Sequence, residues 1–306
     1  MSRATVDLLL FALLAAFWGG SFVAIKFVVA AVPPAFGAFL RVGLALAALG
    51  AWFRWEGKDL SVPPALRRRM WLAGLFAQGF PFAALFWGER RISPGLAGII
   101  NGTVPLFAFV FGLAAGTGEA FTRRKAAGLL VGFGGIALIC SPLLSFAGTR
   151  DEVLGTGAVF LMAVFYAVGS LLTRSILSGH KADFRANSFH QTSAAVVFLA
   201  AWSFLTEGRP PFSALLASPA ALVSVAYLGL FSTALAFLIY FHLIREWGAV
   251  RAAAVTYVVP IVALFWDWLF FRNVPRGTEL IGVAAVLSGV VLLNAPAKAP
   301  DPRAKG

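Results

Sequence analysis

Hydrophobic residues fall along the chain in long runs that carry almost no charge, and polar residues collect between the runs. Each run is close to the about 20 residues that an α-helix needs to cross a hydrocarbon core of ~30 Å. The runs cover approximately residues 6–29, 35–53, 70–88, 94–115, 124–141, 153–174, 186–205, 219–243, 250–271 and 278–294. Prolines in most of the connections end helices by removing a backbone donor. The pattern predicts an all-α polytopic membrane protein with ten transmembrane helices.

The composition agrees with a chain embedded in a lipid bilayer. Of the 306 residues 60% are hydrophobic and only 12% are charged, whereas a soluble domain has about 25% charged residues. The net charge of +12 raises the alternative of nucleic-acid binding. A nucleic-acid-binding face needs clustered cations in polar surroundings, and these cations stand at the ends of apolar runs. We therefore expect no nucleic-acid partner. The one cysteine and three scattered histidines predict no metal site and no cofactor.

The distribution of cations predicts the orientation in the membrane. Seventeen of the 25 Lys and Arg residues flank the runs on the side of the N-terminus, and six flank them on the other side. Cytoplasmic loops are enriched in Lys and Arg, so we expect both termini in the cytoplasm and the chain in a bacterial inner membrane. The two remaining cations, Lys26 and Arg41, fall within predicted spans.

The chain contains an internal repeat, with residues 1–149 as the first copy and residues 150–306 as the second, followed by a short cytoplasmic tail. The matching segments are 15–26 with 163–174, 72–83 with 227–238, 103–108 with 258–263 and 128–139 with 282–293. Five helices per copy is an odd number, so the second copy enters the membrane from the opposite face. Inverted repeats around a central cavity are recurrent in secondary transporters. The alternative is that duplication only built a stable bundle.

Polar and aromatic side chains near the middle of the predicted spans are candidates to line the cavity. Counting 1.5 Å of rise per residue, we assign to it Trp18, Gln78, Phe82, Asn101, Tyr166, Thr233, Thr256 and Tyr257. Gln78 and Thr233 are equivalent positions in the two copies. The alternative for each polar residue is interhelical packing, where such hydrogen bonds contribute about 0.6 to 2 kcal/mol.

Prolines within the fourth and ninth runs are candidates for gating. A proline in mid-helix frees a carbonyl of the preceding turn, which needs a partner or a wet cavity. Each proline belongs to a stripe on one helix face that we expect to border the central space: Asn101, Pro105, Ala108 and Gly112, and Thr256, Pro260, Ala263 and Asp267. The alternative is that Pro105 and Pro260 only shape the packing.

Three charges within the spans form the third candidate group. An ionisable side chain there costs several kcal/mol unless it snorkels, pairs or meets water. Lys26, Arg41 and Asp267 all lie towards the same membrane face, and Asp267 is the only acidic residue well inside a predicted span. We expect a charge cluster that pairs when the outer gate closes or that holds a polar group of the substrate. The alternative is snorkelling by Lys26 and structural pairing of Arg41.

Several of these residues resemble a known family over essentially the whole chain. The stretch WGGSFVAIK (18–26), Pro33-Pro34, Arg41 and Gly118-Glu119 are similar to the drug/metabolite transporter superfamily, EamA family. The pattern most resembles bacterial exporters of aromatic and neutral amino acids. The resemblance implies ten helices, a central cavity and no ATP. The second copy departs from it, because Arg272-Asn273 replaces Gly118-Glu119.

The sequence therefore predicts a secondary transporter that exports small metabolites, with aromatic or neutral amino acids as the expected substrates. One chain contains both repeats, so a monomer is sufficient. A proton-coupled exporter of drugs or other metabolites is the first alternative. A membrane enzyme or an assembly factor is a weaker one, because no nucleophile with a base, paired carboxylates or metal cluster is visible. We expect the protein not to be an enzyme.

Overall fold

A computed structural model describes residues 3–116, 122–144, 149–180, 183–248 and 252–294. Gly118 and Glu119 lie outside these ranges. Within them all regular secondary structure is helical, so the predicted all-α class is confirmed. The long helices are α1 (Arg3–Ala31), α2 (Pro34–Trp55), α3 (Pro64–Glu89), α4 (Pro94–Ala114), α5 (Arg123–Leu144), α6 (Arg150–His180), α7 (Phe184–Glu207), α8 (Pro219–Trp247), α9 (Val255–Phe271) and α10 (Gly277–Asn294).

Seven helices in the described part of the chain, α1 to α6 and α8, are long and apolar enough to cross a membrane. Helices α9 and α10 are apolar but shorter. Helix α7 carries polar residues such as Asn187, His190 and Gln191 in its first half. A short connecting helix, Phe212–Leu216, which the hydrophobic pattern does not predict, precedes α8.

Prolines and serines fix where several helices begin. Helices α2, α3, α4 and α8 each start with a proline, a position where the missing N–H is not needed. The side chains of Ser93 and Ser218 accept hydrogen bonds from the backbone N–H groups of Leu96 and Ala221 at the starts of α4 and α8. These caps satisfy donors that the first helical turn leaves unpaired.

Three of the long helices depart from regular α geometry in their middle. Helix α3 contains a π-helical segment at Leu75–Gly79, and α8 contains one at Tyr227–Leu235. Helix α4 is interrupted between Asn101 and Val104. The helix geometry is thus disturbed near half depth in both halves of the chain, where π turns often mark functional sites.

The helices pack in pairs that cross between the two halves of the chain. Helix α5 lies along α10, α2 packs on α7, and α4 packs on α9. Helix α1 contacts α8 and α9, and α6 makes the corresponding contacts with α3 and α4. Every one of these pairs joins a helix of residues 3–144 to a helix of residues 150–294.

The buried core differs between the two ends of the bundle. We call the end with Ala31, Pro34 and Glu89 the Glu89 end, and the opposite one the Arg3 end. Eight helices, α1 to α4 and α6 to α9, contribute to one continuous buried core in the half towards the Glu89 end. Towards the Arg3 end the described buried residues form separate smaller clusters, between α1, α8 and α9, between α2 and α8, and between α3 and α6.

Candidate functional site

The candidate site is built around a buried arginine on α2. Arg41 is only 5% exposed. Its Nε donates to the Thr233 hydroxyl at 3.0 Å and its Nη2 lies 3.4 Å from the Ser232 hydroxyl. The Thr233 hydroxyl in turn donates to the carbonyl of Leu228 at 2.8 Å. These contacts place the guanidinium on the π-helical segment of α8.

Aromatic rings form the other side of this site. The guanidinium carbon of Arg41 lies 4.2 Å from the ring centroid of Phe82, a cation–π distance. Phe82 meets Tyr166 edge to face at 6.1 Å between centroids. Arg41 also interacts electrostatically with Tyr166 and Tyr227. We call Arg41, Phe82, Tyr166, Tyr227 and Thr233 the Arg41 site.

The glycine pair after Trp18 lets α1 approach α8 and α9 closely. A Cβ atom on Gly20 would lie 2.7 Å from the Tyr227 hydroxyl oxygen, and one on Gly19 would lie 2.5 Å from a side-chain carbon of Val262. The Tyr227 hydroxyl uses this space to donate to the backbone carbonyls of residues 16 and 17. The glycines of the WGGS stretch therefore help to position one tyrosine of the Arg41 site.

Two of the predicted cavity residues make a hydrogen bond or a ring contact with residues outside the Arg41 site. Gln78 lies in the π-helical segment of α3, where its Nε2 donates to the Thr192 hydroxyl of α7 at 3.2 Å. Its buried Oε1 has no hydrogen-bond partner among the described residues. Trp18 packs against Tyr240 of α8 at 5.4 Å between ring centroids.

The remaining cavity candidates and one predicted gate residue lie along α4 and α9. Asn101 ends the first piece of α4. Thr256 donates to the carbonyl of residue 253 in its own chain segment, and Tyr257 packs on the core between α4, α5 and α10. Pro105 is the second residue of the second piece of α4, so the interruption of the helix absorbs its missing donor.

The stripe through Pro260 packs against glycines of α4. A Cβ atom on Gly102 would lie 3.0 Å from Pro260, and one on Gly95 would lie 2.6 Å from an Asp267 carboxylate oxygen. Gly98 faces Ala263 in the same way. In this conformation the stripe on α9 is buried at a helix crossing.

Lys26 and Asp267 hold the two ends of the turn between α3 and α4. The Lys26 Nζ donates to the backbone carbonyls of Glu89 at 2.7 Å and Ile92 at 2.8 Å. The C-terminal end of α3 stabilises a cation there, because it is the negative end of the helix dipole. The Asp267 carboxylate accepts from the N–H of Gly95 at 3.0 Å and from the amide of Asn273 at 2.9 Å.

A fourth ionisable residue, which the sequence reasoning missed, lies near the three predicted ones. Glu89 is fully buried, with 0% of its surface exposed, and neither carboxylate oxygen has a hydrogen-bond partner among the described residues. It interacts electrostatically with Lys26, Arg41 and Asp267. Asp267 is therefore not the only buried acidic residue of the helices.

The Arg3 end has its own polar contact between helices. Asp7 of α1 is 5% exposed, and its carboxylate lies 2.9 Å from Nε2 of His242 and 3.2 Å from the indole nitrogen of Trp247, both on α8. Within the described ranges no group of three or more His, Cys, Asp and Glu side chains is arranged to hold a metal ion.

Two clefts open near the Glu89 end, and Arg41 lines neither of them. One, of about 270 Å³, is bordered by Asp267, Asn273 and Arg276. The other, of about 890 Å³, runs between α3, α6 and α7 and is mainly apolar.

Comparison with known protein families shows to which family the chain belongs. The model of the EamA-like transporter family matches residues 7–141 and 153–295. The chain belongs to the EamA-like transporter family. It is accordingly a multi-pass membrane transporter of the EamA type, and the resemblance seen in the sequence is confirmed.

Two relatives of this EamA-like transporter are named for what they transport. A "Probable amino-acid metabolite efflux pump" of Escherichia coli (strain K12) is 26% identical over 290 residues, covering 90% of each chain. A "Probable terminal-alkyne amino-acid exporter" of Streptantibioticus cattleyicolor is 26% identical over 215 residues, covering 69% of this chain and 67% of the relative. A solved structure described as "Crystal structure of protein" has a TM-score of 0.65 at 21% identity, covering 95% of this chain and 96% of that one, which shows a shared fold.

Proposed function

We propose that this transporter exports small neutral or aromatic amino acids from the cytoplasm by alternating access. The Arg41 site is the observation that carries the proposal. A guanidinium binds a carboxylate through paired N–H donors, and the contacts to Thr233 and Ser232 use only two of its five N–H groups. Phe82 and Tyr166 offer apolar ring faces next to it. A carboxylate with an aromatic or apolar side chain has the matching chemistry.

The relatives support an amino-acid substrate. Two of them are named as an amino-acid exporter and an amino-acid metabolite efflux pump. The identity of 26% in both cases leaves the choice of amino acid to the residues of this chain. Because the Arg41 site contains one buried cation and aromatic rings, it favours neutral over basic amino acids.

The proposed architecture is ten transmembrane helices in two inverted five-helix repeats, residues 1–149 and 150–306. The contact of α5 with α10 supports this arrangement. Gly128 and Gly282 are equivalent in the repeat, as are Gly135 and Gly289. A Cβ on Gly128 would lie 2.8 Å from the carbonyl oxygen of Gly289, and one on Gly135 would lie 2.6 Å from that of Gly282. Such a reciprocal contact is what a two-fold axis between equivalent surfaces produces.

Further support comes from features that recur in both halves. The π-helical segments Leu75–Gly79 and Tyr227–Leu235 overlap when the halves are aligned with a shift of 155 residues. The Glu207 carboxylate accepts from the N–H groups of residues 35 and 36 at the start of α2, and Glu56 pairs with Arg185 at the start of α7 at 3.2 Å. The family model also matches each half separately.

The cation distribution supports an orientation with both termini in the cytoplasm of a bacterial inner membrane. The Glu89 end then faces the periplasm. The continuous core at this end, set against separate clusters towards the Arg3 end, supports a conformation closed to the outside. Alternating access requires the opposite arrangement as well, with the Glu89 end opened and the clusters of the Arg3 end joined.

Exchange in proteoliposomes tests this proposal. Vesicles loaded with unlabelled L-phenylalanine are given labelled L-phenylalanine, L-lysine or phenethylamine, which lacks the carboxylate. We expect exchange of L-phenylalanine only. Losing hydrogen bonds to a charged group costs about 1.5 to 3 kcal/mol, so we expect Arg41→Gln to raise the KM by about 10- to 100-fold. Arg90→Gln, which changes an exposed arginine, serves as the matched control.

Three results would contradict the proposal. Wild-type protein that exchanges no neutral amino acid would overturn the substrate class. Phenethylamine exchanged as fast as L-phenylalanine would remove the carboxylate from recognition. Equal KM values for Arg41→Gln and Arg90→Gln would remove Arg41 from the substrate site.

A further inference from the structure

Glu89, the last residue of α3, is buried without the hydrogen-bond partners that a buried ionised carboxylate needs. Its exposed fraction is 0%, and both side-chain oxygens lack a hydrogen-bond partner among the described residues. Burying an ionised carboxylate without partners costs far more than burying the neutral acid. An intramembrane ionisable residue of this kind is by default a candidate functional site.

The nearby cations make their described hydrogen bonds to other groups. The Lys26 Nζ is close to α3, yet it donates to backbone carbonyls and not to the carboxylate of Glu89. Arg41 donates to Thr233 and Ser232 and stacks on Phe82. The two cations therefore attract the carboxylate over a distance, without satisfying its oxygens.

The other charged groups around Glu89 are also engaged. Asp267 of α9 repels a negative charge at Glu89, while its own oxygens accept from Gly95 and Asn273. Arg91, two residues further along, stacks on Trp87 at 3.5 Å and lies 3.9 Å from the exposed Asp151 at the start of α6. None of these described contacts supplies a donor to the Glu89 carboxylate.

We propose that Glu89 is a proton-binding site, and that a proton bound there allows the Glu89 end of the bundle to close. In the closed conformation Glu89 is a neutral carboxylic acid among Lys26, Arg41 and Asp267. When this end opens, water reaches the side chain and the proton dissociates to the solution on that side. Each closure then takes up one proton from that solution, forming one O–H bond on a Glu89 oxygen.

This proposal deepens the proposed function and rests on it for its consequence. If the Glu89 end faces the periplasm, closure carries a periplasmic proton into the buried state while export carries substrate outward. Proton binding and substrate export would be linked through the same conformational change. Because the proton is taken up from and returned to the same solution, no net proton crosses the membrane; where closure binds one proton, each unit of pH increase on that side lowers the ratio of closed to open protein about tenfold.

Infrared spectroscopy of the purified full-length protein tests the proton site without any substrate. We expect the wild-type protein at neutral pH to show the carbonyl stretch of a protonated carboxyl group. Glu89→Gln should lack this band, and Asp151→Asn, which changes an exposed acid at the same end, should keep it. Glu89→Asp, which retains a titratable group, provides a second variant, and size-exclusion chromatography checks that each variant is folded.

Identical spectra for the wild-type protein and folded Glu89→Gln would overturn the proton site, because Glu89 would then be ionised in the closed state. The same outcome follows if the band disappears equally in Asp151→Asn.

Transport measurements separate the role of this proton in closure from the substrate proposal. In proteoliposomes with the same pH on both sides, we expect L-phenylalanine exchange by the wild-type protein to slow by up to about tenfold for each unit of pH increase once closure becomes limiting, and exchange by Glu89→Gln to be independent of pH over the same range. L-phenylalanine exchange without a gradient should persist in Glu89→Gln. A pH dependence of exchange that is the same in Glu89→Gln would overturn the role of Glu89 in closure. If the wild-type protein shows no exchange, the substrate proposal fails while the infrared result still decides the proton site.

Discussion

Replacing Lys26 with methionine should measure how strongly α1 holds the end of α3. Methionine keeps the length and the apolar stem of the side chain but removes the bonds of 2.7 and 2.8 Å to the carbonyls of Glu89 and Ile92. A hydrogen bond to a charged group contributes about 1.5 to 3 kcal/mol. Because Lys26 is only partly buried, we take the lower figure for each bond. The expected loss in the free energy of unfolding is about 3 kcal/mol.

Thermal unfolding in detergent, followed by tryptophan fluorescence, checks this value. A chain of this size shifts its midpoint by about 2 °C for each kcal/mol, so Lys26→Met should unfold about 6 °C below the wild-type protein. The control is Lys58→Met, which changes an exposed lysine between α2 and α3 and should leave the midpoint unchanged. Equal midpoints for the two variants would refute the inference that Lys26 is a structural bridge between α1 and α3.

Two further variants test packing and a surface carboxylate. Gly135→Ala should lower the midpoint, because its Cβ would lie 2.6 Å from the carbonyl oxygen of Gly282 and overpacking costs about 1 to 3 kcal/mol. Gly134→Ala, where nothing lies within 4 Å, should instead raise it slightly; the same direction for both would contradict the close α5–α10 contact. Hydrogen bonds from Ser61 lower the pKa of Asp59, so this carboxylate stabilises the fold above its unfolded pKa and loses that contribution as pH falls through the folded pKa. Ser61→Ala removes the hydroxyl donor but keeps the backbone N–H, so it should raise the pKa of Asp59 in an NMR titration, and an unchanged value would exclude the hydroxyl hydrogen bond as a cause.

The all-helical fold was predictable because apolar runs and proline breaks are strong signals of spanning helices. The π-helical segments were not. Pro81 follows the segment in α3, but α8 has no proline after its first residue, so the two halves share a geometry without sharing a sequence cause. The connecting helix Phe212–Leu216 was also missed, because it lies in a stretch that begins with two prolines.

The sequence indicated several residues that meet in the structure but not their arrangement, and that they line a substrate path stays a prediction. Phe82, Tyr166 and Thr233 were assigned to one cavity, and they do lie around Arg41. Arg41 itself was grouped with Lys26 and Asp267, because depth along a helix does not reveal which neighbouring helix a side chain meets.

The burial of Glu89 was not predicted because its sequence neighbours are typical of a solvent-exposed loop. Glu89 precedes Arg90 and Arg91, and a charged triplet at the end of an apolar run is typical of a solvated loop. The packing of α1, α2 and α6 against the second half of α3 buries the side chain. A pattern of polar positions along one chain cannot contain that information.

The π turn in α3 also sets the direction around the helix axis in which the later side chains of this helix point. An α-helix advances about 100° for each residue, and a π turn accommodates one residue more than an α turn. If Leu75–Gly79 were regular α-helix with every residue kept, the second half of α3 would rotate by about 100°. Phe82 would then turn away from Arg41, and Glu89 would turn away from Lys26. The one additional residue that the π turn accommodates thus determines which side chains of α3 face the interior.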